Sequence, residues 1–188
     1  TPQPTVNAAA DRTVCANNPT LTLAGSVTNA TGGIWTGGSG TFVANNTTLN
    51  AQYTPSAAEI TAGTVTLTLT STGNGNCVAT NDAMTITINP APTVDAGADR
   101  TVCGINPAVA ISGTIANVGS ATWSIISGGG TFANANSLST TYNATPTDIS
   151  NGFVDLRLTT TAGLCNSVFD DVHINFAPAP SANAGPNQ

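Results

Sequence analysis

The chain contains one unit twice, and this constrains the fold more than any other feature. Thr5–Cys15 reads TVNAAADRTVC and Thr93–Cys103 reads TVDAGADRTVC, an offset of 88 (93 − 5). The same offset relates Trp35 to Trp123, Cys77 to Cys165, and Pro90 and Pro92 to Pro178 and Pro180. Between these anchors the register slips only slightly: Phe42 matches Phe132 at 90, and Tyr53, Val65 and Leu67 match Tyr142, Val154 and Leu156 at 89. Length changes confined to loops around fixed strands mark a duplicated domain. The expected organisation is a first repeat over 1–91, a second over 92–179, and the start of a third over 180–188, where PSANAGPNQ restarts the opening seen at Pro92. The chain is therefore expected to be a window cut from a longer array.

Each repeat has the size of a small β-sandwich, which buries a limited share of its surface and gains from a covalent staple. Four cysteines, two per repeat at matching places, are candidates. Duplicated units should repeat their connectivity, so the expected structural disulfides are Cys15–Cys77 and Cys103–Cys165. Each would close a loop of 62 positions (77 − 15), stabilising its unit by ~4 kcal/mol. Paired cysteines in small, loop-rich β units point to an oxidising, extracellular setting.

Charged residues are 6% of the chain, against roughly 25% in ordinary soluble domains. There is no lysine, and Arg12, Arg100 and Arg157 are the only fixed cations. A net charge of −6 disfavours nucleic acid and anionic lipid as partners. No stretch approaches the ~20 apolar residues of a membrane-spanning helix. Thirty-three threonines carry much of the solubilising work, since a β-branched hydroxyl favours extended backbone and stays wet.

Alternation predicts strands. Thr64–Thr70, TVTLTLT, turns Val65, Leu67 and Leu69 one way and four threonines the other. Val154–Leu158, Thr20–Leu23, Ala108–Ile111, Met84–Ile88 and Val172–Phe176 alternate similarly, and shorter strands near Thr5, Trp35, Thr41 and Asn50 bring the count to seven or eight per repeat. Turn signals separate them at Asn18-Pro19, Asn106-Pro107, Asn74-Gly75 and the glycine clusters 37–40 and 128–130. Those clusters lack the lysine and following helix of a phosphate cradle, so they read as hairpin turns. A single helical turn is expected at Pro55–Ile60, where Ser56 and Glu59 have capping-box spacing, and at Pro146–Ile149. The fold class is all-β: two tandem immunoglobulin-like sandwiches set end to end, joined by the semi-rigid linker Asn89-Pro90-Ala91-Pro92.

Candidate chemistry is sparse. Trp35 and Trp123 stand where the third main strand of an immunoglobulin-like sandwich carries a buried tryptophan, and core burial is favoured over a sugar-stacking platform. His173 is the only histidine and points outward without a second histidine to work with, which argues against a catalytic base or metal ligand. Asp11, Asp82, Asp95, Asp99, Asp170 and Asp171 gather near strand ends. Calcium bridging between repeats is a real alternative for them, but no DxDxDG-like run occurs, and pairing of Asp11 and Asp99 with the neighbouring arginines, or turn capping, is the favoured reading. No catalytic, cofactor-binding or metal residue is assigned. Outward threonines could form an ice- or polysaccharide-binding array, yet the second repeat replaces them with Asp155, Arg157 and His173, so a wet solubilising face is preferred. Glycan-acceptor matches at Asn29, Asn45, Asn46 and Asn143 arise by chance in a chain this rich in asparagine and threonine.

The opening A-x-A-G-x-D/N-R/Q-T-V, present as NAAADRTV at Asn7, DAGADRTV at Asp95 and NAGPNQ at Asn183, resembles the first strand of PKD-type immunoglobulin-like repeats. The following V-C, the mid-unit G-x-W and the cysteine after the TVTLTLT strand are similar to tandem repeats of very long surface adhesins of gliding Bacteroidota. That resemblance implies type IX secretion, display on the outer surface as a filament, and attachment to polysaccharide or abiotic surfaces during gliding. A non-catalytic structural repeat, whose partners are neighbouring repeats, is the resulting expectation. The rival is a carbohydrate-binding or spacer module of a secreted polysaccharide-degrading enzyme.

Overall fold

The computed structural model describes residues 2–178, so the expected third repeat at 180–188 lies outside the described residues. The chain divides into two compact units, Thr1–Ala91 with Leu164–Asn166, and Pro92–Gly163 with Ser167–Gln188.

The first unit contains β1 (Thr5–Asn7), β2 (Arg12–Cys15), β3 (Leu21–Thr22), β4 (Ser26–Thr28), β5 (Gly32–Thr36), β6 (Thr41–Val43), β7 (Gln52–Thr54), helix α1 (Ala57–Ala62), β8 (Thr64–Thr72) and β9 (Asn81–Asn89). One sheet has the order β2-β9-β8-β5 and the other β3-β7-β6, with β1 paired to β4. Strands β3 and β4 are one strand interrupted at Leu23–Gly25, because the amides of Leu23 and Gly25 still reach the carbonyls of Ala51 (2.9 Å) and Leu49 (3.1 Å). Taking β1 and β2 as halves of the first strand, the sheets are first-second-fifth-fourth and third-sixth-seventh, the order of a constant-type immunoglobulin sandwich. The second half, β2, crosses over and pairs in parallel with the last strand, β9.

The second unit repeats this with β10 (Thr93–Asp95), β11 (Arg100–Cys103), β12 (Ala108–Ser112), β13 (Thr114–Ala116), β14 (Ala121–Ser127), β15 (Thr131–Phe132), β16 (Ser139–Asn143), helix α2 (Pro146–Asn151), β17 (Phe153–Thr160) and β18 (Phe169–Ala177). Its sheets run β11-β18-β17-β14 and β12-β16-β15, with β10 on β13 and β11 parallel to β18. Among the described residues each unit thus has nine short strands rather than seven or eight, because the first and second strands are each broken in two.

The break in the first strand has a local cause. Asn7 Oδ1 accepts the Ala9 amide and Asp95 Oδ1 accepts that of Gly97, both at 2.7 Å. These side-chain turns place Ala9 (φ 69°) and Gly97 (φ 87°) in left-handed conformation and redirect the chain to the opposite sheet.

Alternation is realised as expected. Val65, Leu67 and Leu69 on β8, and Val154, Leu156 and Leu158 on β17, are buried while the intervening side chains remain wet. Trp35 on β5 and Trp123 on β14 are core residues, 0% and 2% exposed, and their indole N–H groups donate to Leu49 and Leu138 carbonyls at 3.3 Å. The glycine clusters are not hairpin turns. Gly37–Gly40 joins β5 in one sheet to β6 in the other, so it carries the chain between layers, as Gly128–Gly130 does in the second unit.

Candidate functional site

Three constellations carry chemistry. The first is the disulfide. Cys15 bonds Cys165, with a Cα–Cα distance of 5.0 Å and a sequence separation of 150. The expected pairings Cys15–Cys77 and Cys103–Cys165 are therefore corrected, and the parallel strand explains why. Cys15 ends β2 and is aligned with Asn89, the last residue of β9, whereas Cys77 precedes Asn81, the first. Eight residue steps along β9 put about 26 Å between these ends, far beyond the ~7 Å that a disulfide spans. The same register aligns Cys103 with Ala177 at the far end of β18, while Cys165 precedes its start.

Leu164–Asn166 instead belongs to the first unit, where it covers Cys15. Asn17 Nδ2 donates to the Asn166 carbonyl at 3.0 Å, and the Asn166 amide donates back to Asn17 Oδ1 at 3.2 Å. Cys15 is fully buried there. Both of its bonded sulfurs lie against the Pro90 carbonyl oxygen, at 3.9 Å from Cys15 and 3.7 Å from Cys165. Cys77 takes the corresponding position in its own repeat, with its sulfur 3.8 Å from the Pro2 carbonyl oxygen. Cys103 carries an exposed free thiol.

The second constellation, unseen in the sequence, is a buried tyrosine–carboxylate pair in each unit. Ser56 caps α1 and Thr145 caps α2 in full capping boxes, and the helices end on left-handed Gly63 and Gly152. The third helical residue, Glu59 or Asp148, is itself buried. Glu59 accepts the amides of Ser39 and Ser56 at 2.7 Å each and the Tyr53 hydroxyl at 2.9 Å. Asp148 accepts those of Gly129 and Thr145 at 2.8 Å each and the Tyr142 hydroxyl at 3.0 Å. Burial raises both carboxyl pKa values, but the donated amides and hydroxyls outweigh it, so both titrate below their usual range. Burial, with the adjacent carboxylate, pushes Tyr53 and Tyr142 up to about 12. Each carboxylate thus joins a loop amide, the helix cap and the tyrosine hydroxyl, so the pair locks the layer-crossing loop to the helix.

The third constellation comprises the acids and the single histidine. Asp82 and Asp170 accept the amides of Ala8 and Ala96, and Asp11 and Asp99 accept those of Thr85 and His173, all at 2.8 Å. Asp11 and Asp99, expected to pair with the neighbouring arginines or to cap turns, instead clamp backbone amides of the last strand where the first strand changes sheets. On the outer face of the second unit, His173 Nδ1 lies 2.6 Å from Asp155 and its ring stacks on Phe153. Asp155, by hydrogen bonding, raises the pKa of His173. Arg157 grips Asp171 with two bonds of 2.7 and 2.8 Å and lies over the Phe169 ring at 3.6 Å. Among the described residues no three histidine, cysteine or acidic side chains gather as a metal shell, and no helix is long and apolar enough to cross a membrane.

No family model matches the chain, and no curated protein sequence does. Among solved structures, the chain is similar to DIP-gamma IG1+IG2, with 11% identity over 93% of this chain and 98% of that one, at a TM-score of 0.48. It is also similar to Drosophila N-cadherin EC1-4, with 12% identity over 94% and 50% of the two chains and a TM-score of 0.47. Mouse cadherin-23 EC22-24 gives 14% identity, 93% and 67% coverage, and a TM-score of 0.45.

Proposed function

We propose that the chain is a non-catalytic, load-bearing repeat segment of an extracellular adhesive filament, of the kind the PKD-like opening motif implies. The Cys15–Cys165 bond carries this reading. Tension applied at the two chain ends reaches Cys15, crosses the sulfur bridge and leaves from Cys165. The 149 residues between them (165 − 15 − 1) stay out of the load path. A bond so placed holds most of both repeats under a single covalent bypass, and it belongs in an oxidising compartment. The rest of the architecture supports the same role: Glu59, Asp148, Asp82, Asp170, Asp11 and Asp99 each accept a backbone amide, which spends them on holding the fold. In each unit the first strand of the larger sheet is parallel to the last, so once the sulfur bridge is reduced, tension across a unit would load their hydrogen bonds together in shear rather than one by one.

Pulling single molecules by their ends tests the proposal. Oxidised chains should extend fully by about 500 Å less than reduced ones, the length of some 150 residues at ~3.4 Å each. Equal extensions would refute the bypass. A glycan array on the same protein addresses the rival module: saturable binding of one sugar class would favour a carbohydrate-binding role over a stalk.

A further inference from the structure

We propose that the outer face of the larger sheet in the second unit is a self-association surface, on which a second copy of this chain docks through the same face. The two units are built alike, yet they differ here. In the first unit the outward residues at the middle of β8 and β9 are Thr66 opposite Thr85 and Thr68 opposite Ala83. At the corresponding places on β17 and β18 stand Asp155 opposite His173 and Arg157 opposite Asp171, at offsets of 89 (155 − 66) and 88 (173 − 85). Charged residues are only 6% of the chain, and one of its three arginines and its single histidine lie on this face. Phe153 and Phe169 flank them, 39% and 56% exposed, where the first unit has Thr64 and Asn81. Six outward positions thus carry charge or aromatic surface that the sandwich does not require, since the first unit folds without it.

The charges identify the occupant. Along the strands and across them acid and base alternate: Asp155 beside His173, then Arg157 beside Asp171. A copy set face to face by a two-fold axis in the plane of the sheet meets this two-by-two pattern with its own. With the axis along the strands, Arg157 faces the other copy's Asp171 and Asp155 faces the other copy's His173. With the axis across them, Arg157 faces the other copy's Asp155 and His173 faces the other copy's Asp171. Neither arrangement sets like charges together, so the face is complementary to itself. Its groups are also prepared for a second partner. Arg157 gives two of its five N–H donors to Asp171, at 2.7 and 2.8 Å, and the other three have no partner among the described residues. Its guanidinium is held over the Phe169 ring at 3.6 Å, so little side-chain freedom remains to be lost on docking. The Arg157–Asp171 row lies six residues (177 − 171) from the end of β18 at Ala177, about 20 Å along the strand. A four-stranded sheet about 19 Å wide and about 26 Å long presents about 500 Å² per copy, below the ~800 Å² of a standard interface. A single pairing is therefore weak, and on the reading of this chain as one segment of a repeated filament, many such pairings in parallel hold filaments side by side.

The test is sedimentation velocity of the 188-residue protein up to about 1 mM, with the exposed Cys103 thiol blocked by iodoacetamide so that no new disulfide contributes. The expected result is a reversible monomer–dimer equilibrium whose Kd rises at least about threefold between about 50 and about 500 mM salt. Arg157→Asp sets acid over acid about either axis and should raise Kd at least about tenfold. Thr66→Asp, at the corresponding place in the first unit, should leave it unchanged. Amide resonances that move with protein concentration should be those of Asp155–Arg157 and Asp171–His173. Monomer at every concentration, dimers that Arg157→Asp leaves intact, or resonance shifts confined to another surface would overturn the proposal. Capture of one sugar class by a protein that stays monomeric, lost in Arg157→Asp, would also overturn it and give the face to a glycan. Each of these outcomes leaves the load-bearing reading standing, whereas equal extensions of oxidised and reduced chains would overturn that reading and leave the pairing of faces untouched.

Discussion

The Tyr53 hydroxyl stands 2.9 Å from both carboxylate oxygens of Glu59, and the same hydroxyl oxygen accepts the Gly40 amide at 3.0 Å. One phenol thereby ties strand β7, helix α1 and the layer-crossing glycine loop into a single buried node. Tyr142, Asp148 and Gly130 repeat it in the second unit.

Removing the hydroxyl leaves a buried carboxylate and a part-buried amide short of one partner each. Tyr53→Phe should therefore destabilise the first unit by ~1–3 kcal/mol, and Tyr142→Phe the second by a similar amount. Each unit carries one buried tryptophan, Trp35 or Trp123. Fluorescence during urea unfolding, read in variants that keep only one tryptophan, assigns each loss to its unit. A loss in the unaffected unit, or none in the affected one, would contradict the account.

The same node sets the pH range of stability. Glu59 and Asp148 have folded pKa values below their ordinary values of 4.5 and 3.8. Their contribution is therefore complete above those ordinary values and is lost as pH falls through the lower, folded ones. Tyr53 and Tyr142 are raised from 10.0 to about 12. They contribute fully below pH 10, and that contribution is lost as pH rises toward 12. Urea midpoints across pH should fall at both extremes. The alkaline fall should be smaller in the Tyr53→Phe and Tyr142→Phe double variant.

Two classes of aspartate should separate cleanly. Asp82 and Asp170 satisfy the amides of buried Ala8 and Ala96, so Asp82→Ala or Asp170→Ala should cost ~1–3 kcal/mol. Asp171 engages Arg157 at an exposed edge, and Asp171→Ala should stay within about 1 kcal/mol of the parent. Thermal denaturation of the three variants checks the order, and an Asp171 effect as large as that of Asp82 would contradict it.

Local and periodic features were legible in the chain. Alternation on Thr64–Thr70 identified the core face of β8, the tryptophan position identified the third strand, and Ser56 with Glu59 identified the helix cap. What stayed hidden depends on long-range placement. The cysteine pairing follows from β2 lying parallel to β9, which sends Cys15 to the end of the sheet opposite Cys77, and spacing within a repeat carries no trace of that direction. Partners of the acids were equally hidden, because Asp82 and Asp170 each reach an amide 74 positions away. The glycine cluster looked like a hairpin because a turn and a crossing between sheets both need small residues. The placement of β5 and β6 in different sheets is what distinguishes them.

The most direct measurement is disulfide mapping of the non-reduced, alkylated and denatured protein with trypsin and a glutamate-specific protease. Cleavage at Arg12, Arg100, Arg157 and Glu59 places Cys15, Cys77, Cys103 and Cys165 on four separate peptides. The structure predicts a single linked species joining the peptide that begins at Thr13 to the one that begins at Leu158. Linkage of the Thr13 peptide to the Ile60 peptide, which would mean Cys15–Cys77, would contradict the covalent bypass at its root.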